Sequence, residues 1–247
     1  MILAGDTGGT KTVLALFDKD GRVAREKLFH CSEFPSLEAI LDAFAPGTIE
    51  GACFGVAGPV VAGVARITNL PWVIDERALA AKLAAPVKLL NDLQATALGT
   101  LALPPEGFAV LQGEARHDLH GTIAVIAPGT GLGEAMLVHD GRRYIALPSE
   151  GGHADWAPGT DEELELWRFM RERHGAHISV ERVLSGNGIA DLYDFCRRGA
   201  PELSYKGDRN AAIADAAMAK SDPNAVRALD LFAEVLGAEA GNFALRG

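Results

Sequence analysis

Cysteine is scarce in this chain of 247 residues, which contains only Cys31, Cys53 and Cys196. Three cysteines far apart in the sequence fit neither a disulfide framework nor the clustered spacing of a zinc site. We therefore expect three reduced thiols, buried or half-buried, in a cytoplasmic protein.

Long hydrophobic runs and a surplus of basic residues are also missing. No run reaches the roughly 18 apolar residues that a transmembrane helix needs. The N-terminal segment, Met1 to Asp6, has no basic residue and reaches a carboxylate at once, so we expect no signal peptide. The formal net charge of −10 repels phosphate backbones and anionic lipids, which argues against nucleic acids and membranes as partners.

The composition and patterning of the chain are those of a globular α/β protein. Hydrophobic residues make up 48% and charged residues 23%, and short apolar runs alternate with helical spacing in the first half, which predicts a mixed sheet flanked by helices. The predicted strands are 2–4, 12–17, 52–57, 60–67, 87–90, 108–111, 122–127 and 135–138. The predicted helices are 37–44, 76–84, 93–103, 161–174, 179–184, 187–198, 209–219 and 223–245. A Pro-Pro-Glu-Gly stretch is the best domain boundary and divides the chain into 1–104 and 105–247.

A glycine-rich segment lies between the first two predicted strands. Its adjacent glycines, Gly8 and Gly9, permit a tight turn that brings backbone N–H groups close to an anion. Thr10 and Lys11 add a hydroxyl and an ammonium group, and Asp6 could orient a hydrated Mg²⁺. The same residues also fit a plain hairpin turn without a ligand.

A second glycine loop follows the predicted strand 122–127. Gly129, Thr130, Gly131 and Gly133 could cradle a phosphate through backbone amides, or could form a tight turn between two strands. Two such loops beside hydrophobic strands favour phosphate binding more than either loop does alone.

Polar residues with the chemistry for catalysis or for sugar binding stand at three further places. Asp92 follows Asn91 at the end of a predicted strand, where it could act as a general base or only as a helix N-cap. Glu150 and His153 lie in a glycine-flexed turn, where they suit sugar hydroxyls better than zinc. Glu181 could be a third sugar ligand or a solvated helix residue.

Together and in this order, these segments resemble the bacterial glucokinases of the hexokinase–actin superfold, the group without a zinc cluster, over essentially the whole chain. The resemblance implies an α/β, actin-like ATPase/hexokinase fold with two domains around a cleft that closes on the sugar. It implies transfer of the γ-phosphoryl group of ATP to the 6-hydroxyl of glucose, with Mg²⁺ bridging the phosphates, in a cytoplasmic homodimer.

The resemblance also implies a role for each matching residue. Asp92 would be the catalytic base, and Mg²⁺ would be held through the ATP phosphates, with a water on Asp6, rather than by direct protein ligands. The implied sugar-binding residues are Asn69, Asn91, Glu150, His153 and Glu181. The implied phosphate-binding residues are Asp6, Gly8, Gly9, Thr10, Lys11, Gly129, Thr130, Gly131 and Gly133. The segment from Leu184 to Gly188 resembles the loop that approaches the nucleotide.

The chain departs from the family pattern at two places. Thr7 stands where family members usually have isoleucine, a change that we expect to be harmless. Family members also continue past the helix that ends near Leu245 into a strand, an adenosine-binding loop and a last helix, so we expect weaker nucleotide binding and lower stability here. An alternative function is a non-catalytic sugar-binding protein or regulator of the same fold. Asp92 and the lack of an N-terminal helix-turn-helix favour the enzyme.

Overall fold

The computed structural model describes residues 1–67, 70–112 and 120–246. The chain divides into two compact units, Met1–Arg116 and His117–Gly247. The boundary predicted after residue 104 falls inside the first of these units.

The first unit is built on strands and three helices. Its strands are β1 (Ile2–Thr7), β2 (Lys11–Phe17), β3 (Val23–His30), β4 (Gly51–Val56), β5 (Val60–Val61), β6 (Val64–Arg66), β7 (Val73–Asp75) and β8 (Val87–Asn91). Its helices are α1 (Leu37–Phe44), α2 (Glu76–Leu83) and α3 (Asp92–Thr100). The main sheet has the order β3-β2-β1-β4-β8, and β5, β6 and β7 form a second, smaller sheet.

The main sheet brings the ends of three strands to one edge. β1 is parallel to β4 and β4 is parallel to β8, whereas β1, β2 and β3 pair antiparallel. Thr7, Val56 and Asn91 are therefore neighbours at the carboxyl ends of β1, β4 and β8. In α/β sheets, this edge is where ligands usually bind.

Helix caps and a continuous core explain why the first unit folds this way. Ser36 caps α1 by accepting the N–H of Ala39, and Asp75 caps α2 by accepting two backbone N–H groups. The apolar face of α1 packs on the sheet in one buried cluster with α2. Its members include Leu3, Leu14, Leu37, Ile40, Leu41, Phe44, Phe54, Leu79 and Leu89.

The second unit has a three-stranded antiparallel sheet followed by helices. Its strands are β9 (Ile123–Pro128), β10 (Leu132–His139) and β11 (Tyr144–Ser149), in the order β11-β10-β9. Its helices are α4 (Asp161–His174), α5 (Val180–Val183), α6 (Gly186–Arg197), α7 (Arg209–Met218) and α8 (Pro223–Ala244). Helices α4 to α8 share a core that includes Leu166, Met170, Leu192, Tyr193, Ile213, Leu231 and Val235.

Several differences separate this fold from the sequence-based predictions. The predicted strand 108–111 is wrong, because these residues form no strand and the side chain of Leu111 is 98% exposed. The predicted strand 60–67 is instead the hairpin of β5 and β6, turned at Ala62 and Gly63, whose φ angles are +51° and +79°. Strands β3, β7 and β11 were not predicted.

Two expectations from composition can also be compared with the structure. The three cysteines are free, Cys31 being buried and the other two half-buried, as predicted. Among the described residues, no helix combines the length and the hydropathy that a membrane span requires.

Candidate active site

The first glycine loop is the connection of the β1–β2 hairpin. The N–H of Gly8 donates to the carbonyl oxygen of Lys11 at 3.0 Å, and the N–H of Cys31 donates to that of Thr10 at 2.9 Å. The thiol of Cys31, itself buried, donates to the carbonyl of Gly8 at 3.5 Å and lies 3.4 Å from Oγ1 of Thr12. Cys31 thus donates hydrogen bonds to two carbonyl oxygens of the loop. Because carbonyl oxygens repel phosphate, a loop whose carbonyls are already hydrogen-bonded elsewhere suits an anion site. The hairpin interpretation and the phosphate interpretation are therefore compatible.

Asn91, and not Asp92, is the N-cap of α3. Its side-chain oxygen accepts the N–H groups of Leu93 and Gln94 at 2.9 and 3.4 Å, and Gln94 accepts the N–H of Asn91 in return. The alternative interpretation of Asp92 as the cap is therefore wrong. The amide nitrogen of Asn91 also donates to the carbonyl of Gly58 at 3.2 Å, which ties α3 to the segment after β4. Asp92 is left as an exposed first helical residue at the positive end of the helix dipole.

The carboxyl group of Asp6 lies close enough to Asp92, at this edge of the sheet, for its pKa to respond to the charge of Asp92. Burial by the surrounding protein, and then the negative charge of Asp92, raise the pKa of Asp6. A cation beside such a pair lowers its mutual repulsion. Among the described residues, no group of three or more His, Cys, Asp or Glu side chains could hold a metal ion alone. These residues fit Mg²⁺ that is held mainly by phosphates and water.

The second glycine loop joins the neighbouring strands β9 and β10 in the second unit. The N–H of Gly129 donates to the carbonyl of Gly131 at 2.7 Å, and the N–H of Gly186 donates to the carbonyl of Gly129 at 2.7 Å. The N–H of Leu132 donates to Oε2 of Glu181 at 2.9 Å. This loop is a turn between strands, as the alternative interpretation stated. It is also held by hydrogen bonds to two residues later in the chain, Glu181 and Gly186.

Glu150, His153 and Glu181 come together in the second unit, as the sugar-binding interpretation requires. Ring nitrogen Nε2 of His153 lies 3.9 Å from Oε2 of Glu150, and Nδ1 lies 3.8 Å from Oε1 of Glu181. The side chains of Glu150, His153 and Glu181 are 75%, 63% and 31% exposed, respectively. A carboxylate accepts hydrogen bonds from sugar hydroxyls, and a neutral imidazole can accept one and donate one. Groups this close can therefore bind vicinal hydroxyls of one sugar ring.

The sequence analysis did not identify His177, whose ring contacts the segment that carries His153. One ring nitrogen is 2.9 Å from Oδ1 of Asp155 and the other is 3.1 Å from the carbonyl oxygen of His153. An isolated antiparallel β-bridge between the backbones of Asp155 and Ser179 joins the same two segments. No spacing rule could identify a single histidine whose partners are distant in the sequence.

The remaining predicted residues are placed as follows. The segment Leu184–Gly188 is the start of α6, where Ser185 accepts the N–H of Gly188 at 3.1 Å. Thr7 is fully buried, and its hydroxyl has no hydrogen-bond partner among the described residues. Asn69 lies outside the described residues.

Comparison with solved structures defines the class of this protein. The chain superposes on the crystal structure of a glucokinase from an Antarctic psychrotroph with a TM-score of 0.83, at 31% identity, over 99% of this chain and 79% of the other. It also superposes on a ROK family glucokinase from Streptomyces griseus in complex with glucose and AMPPNP, with a TM-score of 0.61 at 23% identity, over 98% and 78% of the two chains. The fold is the actin-like ATPase/hexokinase fold of sugar kinases.

The sequence comparisons narrow the class to one family. The Glucokinase family model matches residues 3–247. A glucokinase from Nostoc sp. is 37% identical to this chain over an alignment that covers all of this chain and 80% of the relative. The chain therefore belongs to the glucokinase family.

Proposed function

We propose that this chain carries out the glucokinase reaction with Asp92 as its catalytic base, so that the γ-phosphoryl group of ATP passes to the 6-hydroxyl of glucose. The products are glucose 6-phosphate and ADP. The observation that carries this proposal is the exposed Asp92 carboxylate beside Asp6 at the carboxyl edge of the parallel strands. A base there accepts the hydroxyl proton as the oxygen attacks phosphorus.

The sugar is bound by the side chains that cluster in the second unit. Glu150, His153 and Glu181 hold the ring through its other hydroxyl groups, so that the 6-hydroxyl is the one free to react. Asn91 and Asn69 are further proposed sugar ligands, and Asn91 also fixes Asp92 by capping α3. Glucose is the proposed hexose, because the glucokinase complex from Streptomyces griseus contains it.

ATP is bound by the two glycine loops. Backbone amides of the first loop, with Thr10 and Lys11, face one part of the phosphate chain, and the loop from Gly129 to Gly133 faces another. When bound with ATP, Mg²⁺ neutralises charge on the transferring group, and a water on Asp6 would connect it to the protein. No residue of the chain forms a covalent intermediate in this scheme.

Two finer features of the proposal rest on the family resemblance and on composition. We propose a homodimer, which sedimentation of the purified chain would distinguish from a monomer of 26.0 kDa. We propose a cytoplasmic location from the three free thiols.

Phosphorus NMR of a mixture of the chain, glucose, ATP and Mg²⁺ tests the reaction itself. The proposal predicts loss of the γ-phosphate signal and growth of a sugar phosphate signal coupled to the protons on C6. Chelation of Mg²⁺ with EDTA should stop both changes. If glucose stabilises the chain against thermal unfolding but no sugar phosphate forms, the chain is the non-catalytic sugar-binding protein instead.

A further inference from the structure

The two carboxylate oxygens of Glu181 face different parts of the second unit. Oε1 lies 3.8 Å from Nδ1 of His153, on the side of the sugar-binding cluster. Oε2 accepts the backbone N–H of Leu132 at 2.9 Å, inside the second glycine loop. One side chain therefore touches both a sugar-binding residue and the backbone of a phosphate loop.

The glycine loop is shaped around this carboxylate. A Cβ atom on Gly131 would overlap Oε2 of Glu181, so a larger residue there would have to displace this carboxylate. The hydrogen bond between a backbone N–H and a carboxylate is charge-assisted and therefore stronger than a neutral one. Glu181 fixes the end of the loop that leads into β10.

The other end of the same loop is fixed by the residues that follow Glu181. The N–H of Gly186 donates to the carbonyl of Gly129 at 2.7 Å. Ser185, which is 3% exposed, caps α6 and holds Gly186 at the helix start. Both anchors of the phosphate loop thus belong to one short segment, from Glu181 to Gly186.

We infer that Glu181 couples glucose binding to ATP binding, by positioning the second phosphate loop through Leu132 while it contacts the sugar. This inference rests on the proposed function. Without the sugar, the Glu181 side chain is 31% exposed and is held to the loop by its hydrogen bond from the N–H of Leu132. A sugar that holds the Glu181 side chain in place also orders the loop. The entropy cost of ordering the loop is then part of sugar binding, and ATP binding no longer includes it. By reciprocity, ATP must tighten glucose binding by the same factor.

Calorimetric titration with Mg²⁺·AMPPNP, which cannot transfer its terminal group as ATP does, tests this role. In the absence of glucose, Glu181→Ala should weaken AMPPNP binding about fivefold to tenfold, in the range of a typical coupling. Glu181→Gln should bind AMPPNP nearly as the natural chain does, because its amide oxygen can still accept the N–H of Leu132. The matched control is Asp140→Ala, which also removes a carboxylate that accepts backbone N–H groups, those of Arg142 and Arg143, but outside the proposed site. It should leave AMPPNP affinity without glucose unchanged.

The second readout is the effect of saturating glucose on the same titration. Glucose should tighten AMPPNP binding to the natural chain and to Asp140→Ala, and should have no effect on its binding to Glu181→Ala. Glu181→Asp, which keeps the charge but is one methylene too short for Leu132, should behave like Glu181→Ala. Equal AMPPNP affinity of the natural chain and both shortened variants would overturn the inference. These titrations measure binding and not turnover. Their result can therefore be interpreted even if the chain does not carry out the proposed reaction.

Discussion

Glu134 is a carboxyl group buried directly beneath the sugar-binding turn. It stands on β10, its exposed fraction is 0%, and neither oxygen has a hydrogen-bond partner among the described residues. A Cβ on Gly151 would overlap Oε2 of Glu134, so a larger residue at this position of the turn would have to displace the carboxyl group. Burial first, and then the charge of Glu239, raise the pKa of Glu134, while Arg246 acts in the opposite direction.

The raised pKa of Glu134 predicts a pH-dependent contribution to stability. As the pH rises above 4.5, the ordinary pKa of a glutamate, Glu134 loses its proton in the unfolded chain but keeps it in the folded chain. This contribution is complete below that pH and is lost as the pH rises through the folded pKa. Glu134→Gln keeps the shape but cannot ionise, so the variant should gain stability over the natural chain between pH 5 and pH 8.

Urea denaturation of both proteins at about pH 5 and about pH 8 checks this prediction. Glu239→Gln removes the neighbouring charge and should reduce the gain. Equal differences in unfolding free energy at the two pH values would show that Glu134 is not held protonated by the fold.

At the scale of single residues, the sequence identifies the residues that belong to a motif. It does not identify the residues that contact the motif only in the folded chain. Glu150, His153 and Glu181 were predicted to act together, and they lie side by side. His177 and Glu134 gave no signal, because their roles depend on partners that only the folded chain brings near.

At the scale of elements, the start of α3 is where local structure supports the proposed chemistry. Asn91 closes a capping box with Gln94 and orients the first turn, in which Asp92 stands. Asn91→Ala should lower the free energy of unfolding by about 1 kcal/mol, as the loss of a cap does. It should also lower kcat, because Asp92 would no longer be fixed at the helix start.

Asp75→Ala is the matched control for this prediction. Asp75 caps α2 through Arg77 and Ala78, and it has no part in the proposed site. Its loss should cost a similar free energy of about 1 kcal/mol with kcat unchanged. Urea denaturation and steady-state kinetics of both variants separate the two effects. If Asn91→Ala loses stability but keeps its kcat, the cap has no role in placing Asp92.

Helices were better predicted than strands, for a physical reason. A helix carries its own hydrogen bonds and its own caps in consecutive residues, so α1 and α4 have the predicted bounds. A strand depends on a neighbour: β3 is an exposed edge strand with little alternation, and it was missed. The apolar residues 108–111 have β-forming side chains but no partner strand among the described residues, and they stay irregular.

At the scale of the whole molecule, the two proposed phosphate loops are built in the same way. In each, a glycine turn joins two antiparallel strands, β1 with β2 and β9 with β10. Hydrogen bonds from a later part of the chain, at Cys31 in one unit and at Gly186 in the other, hold loop carbonyls. The sequence predicted both loops because glycines are dense there, but the anchoring contacts could only be found in the fold.

The fold class and the family were also predictable at this scale, because several motifs occur in a fixed order along the chain. The match of the Glucokinase family model to residues 3–247 confirms that prediction.

The most direct test of the account is the turnover number of Asp92→Asn beside that of the natural chain, in a coupled assay for glucose 6-phosphate with Mg²⁺ and ATP. Loss of the general base predicts a kcat that is about 10²–10⁴-fold lower, with glucose affinity almost unchanged, because asparagine keeps the size of the side chain. A kcat for Asp92→Asn within a few-fold of the natural value would contradict the assignment of Asp92 as the catalytic base.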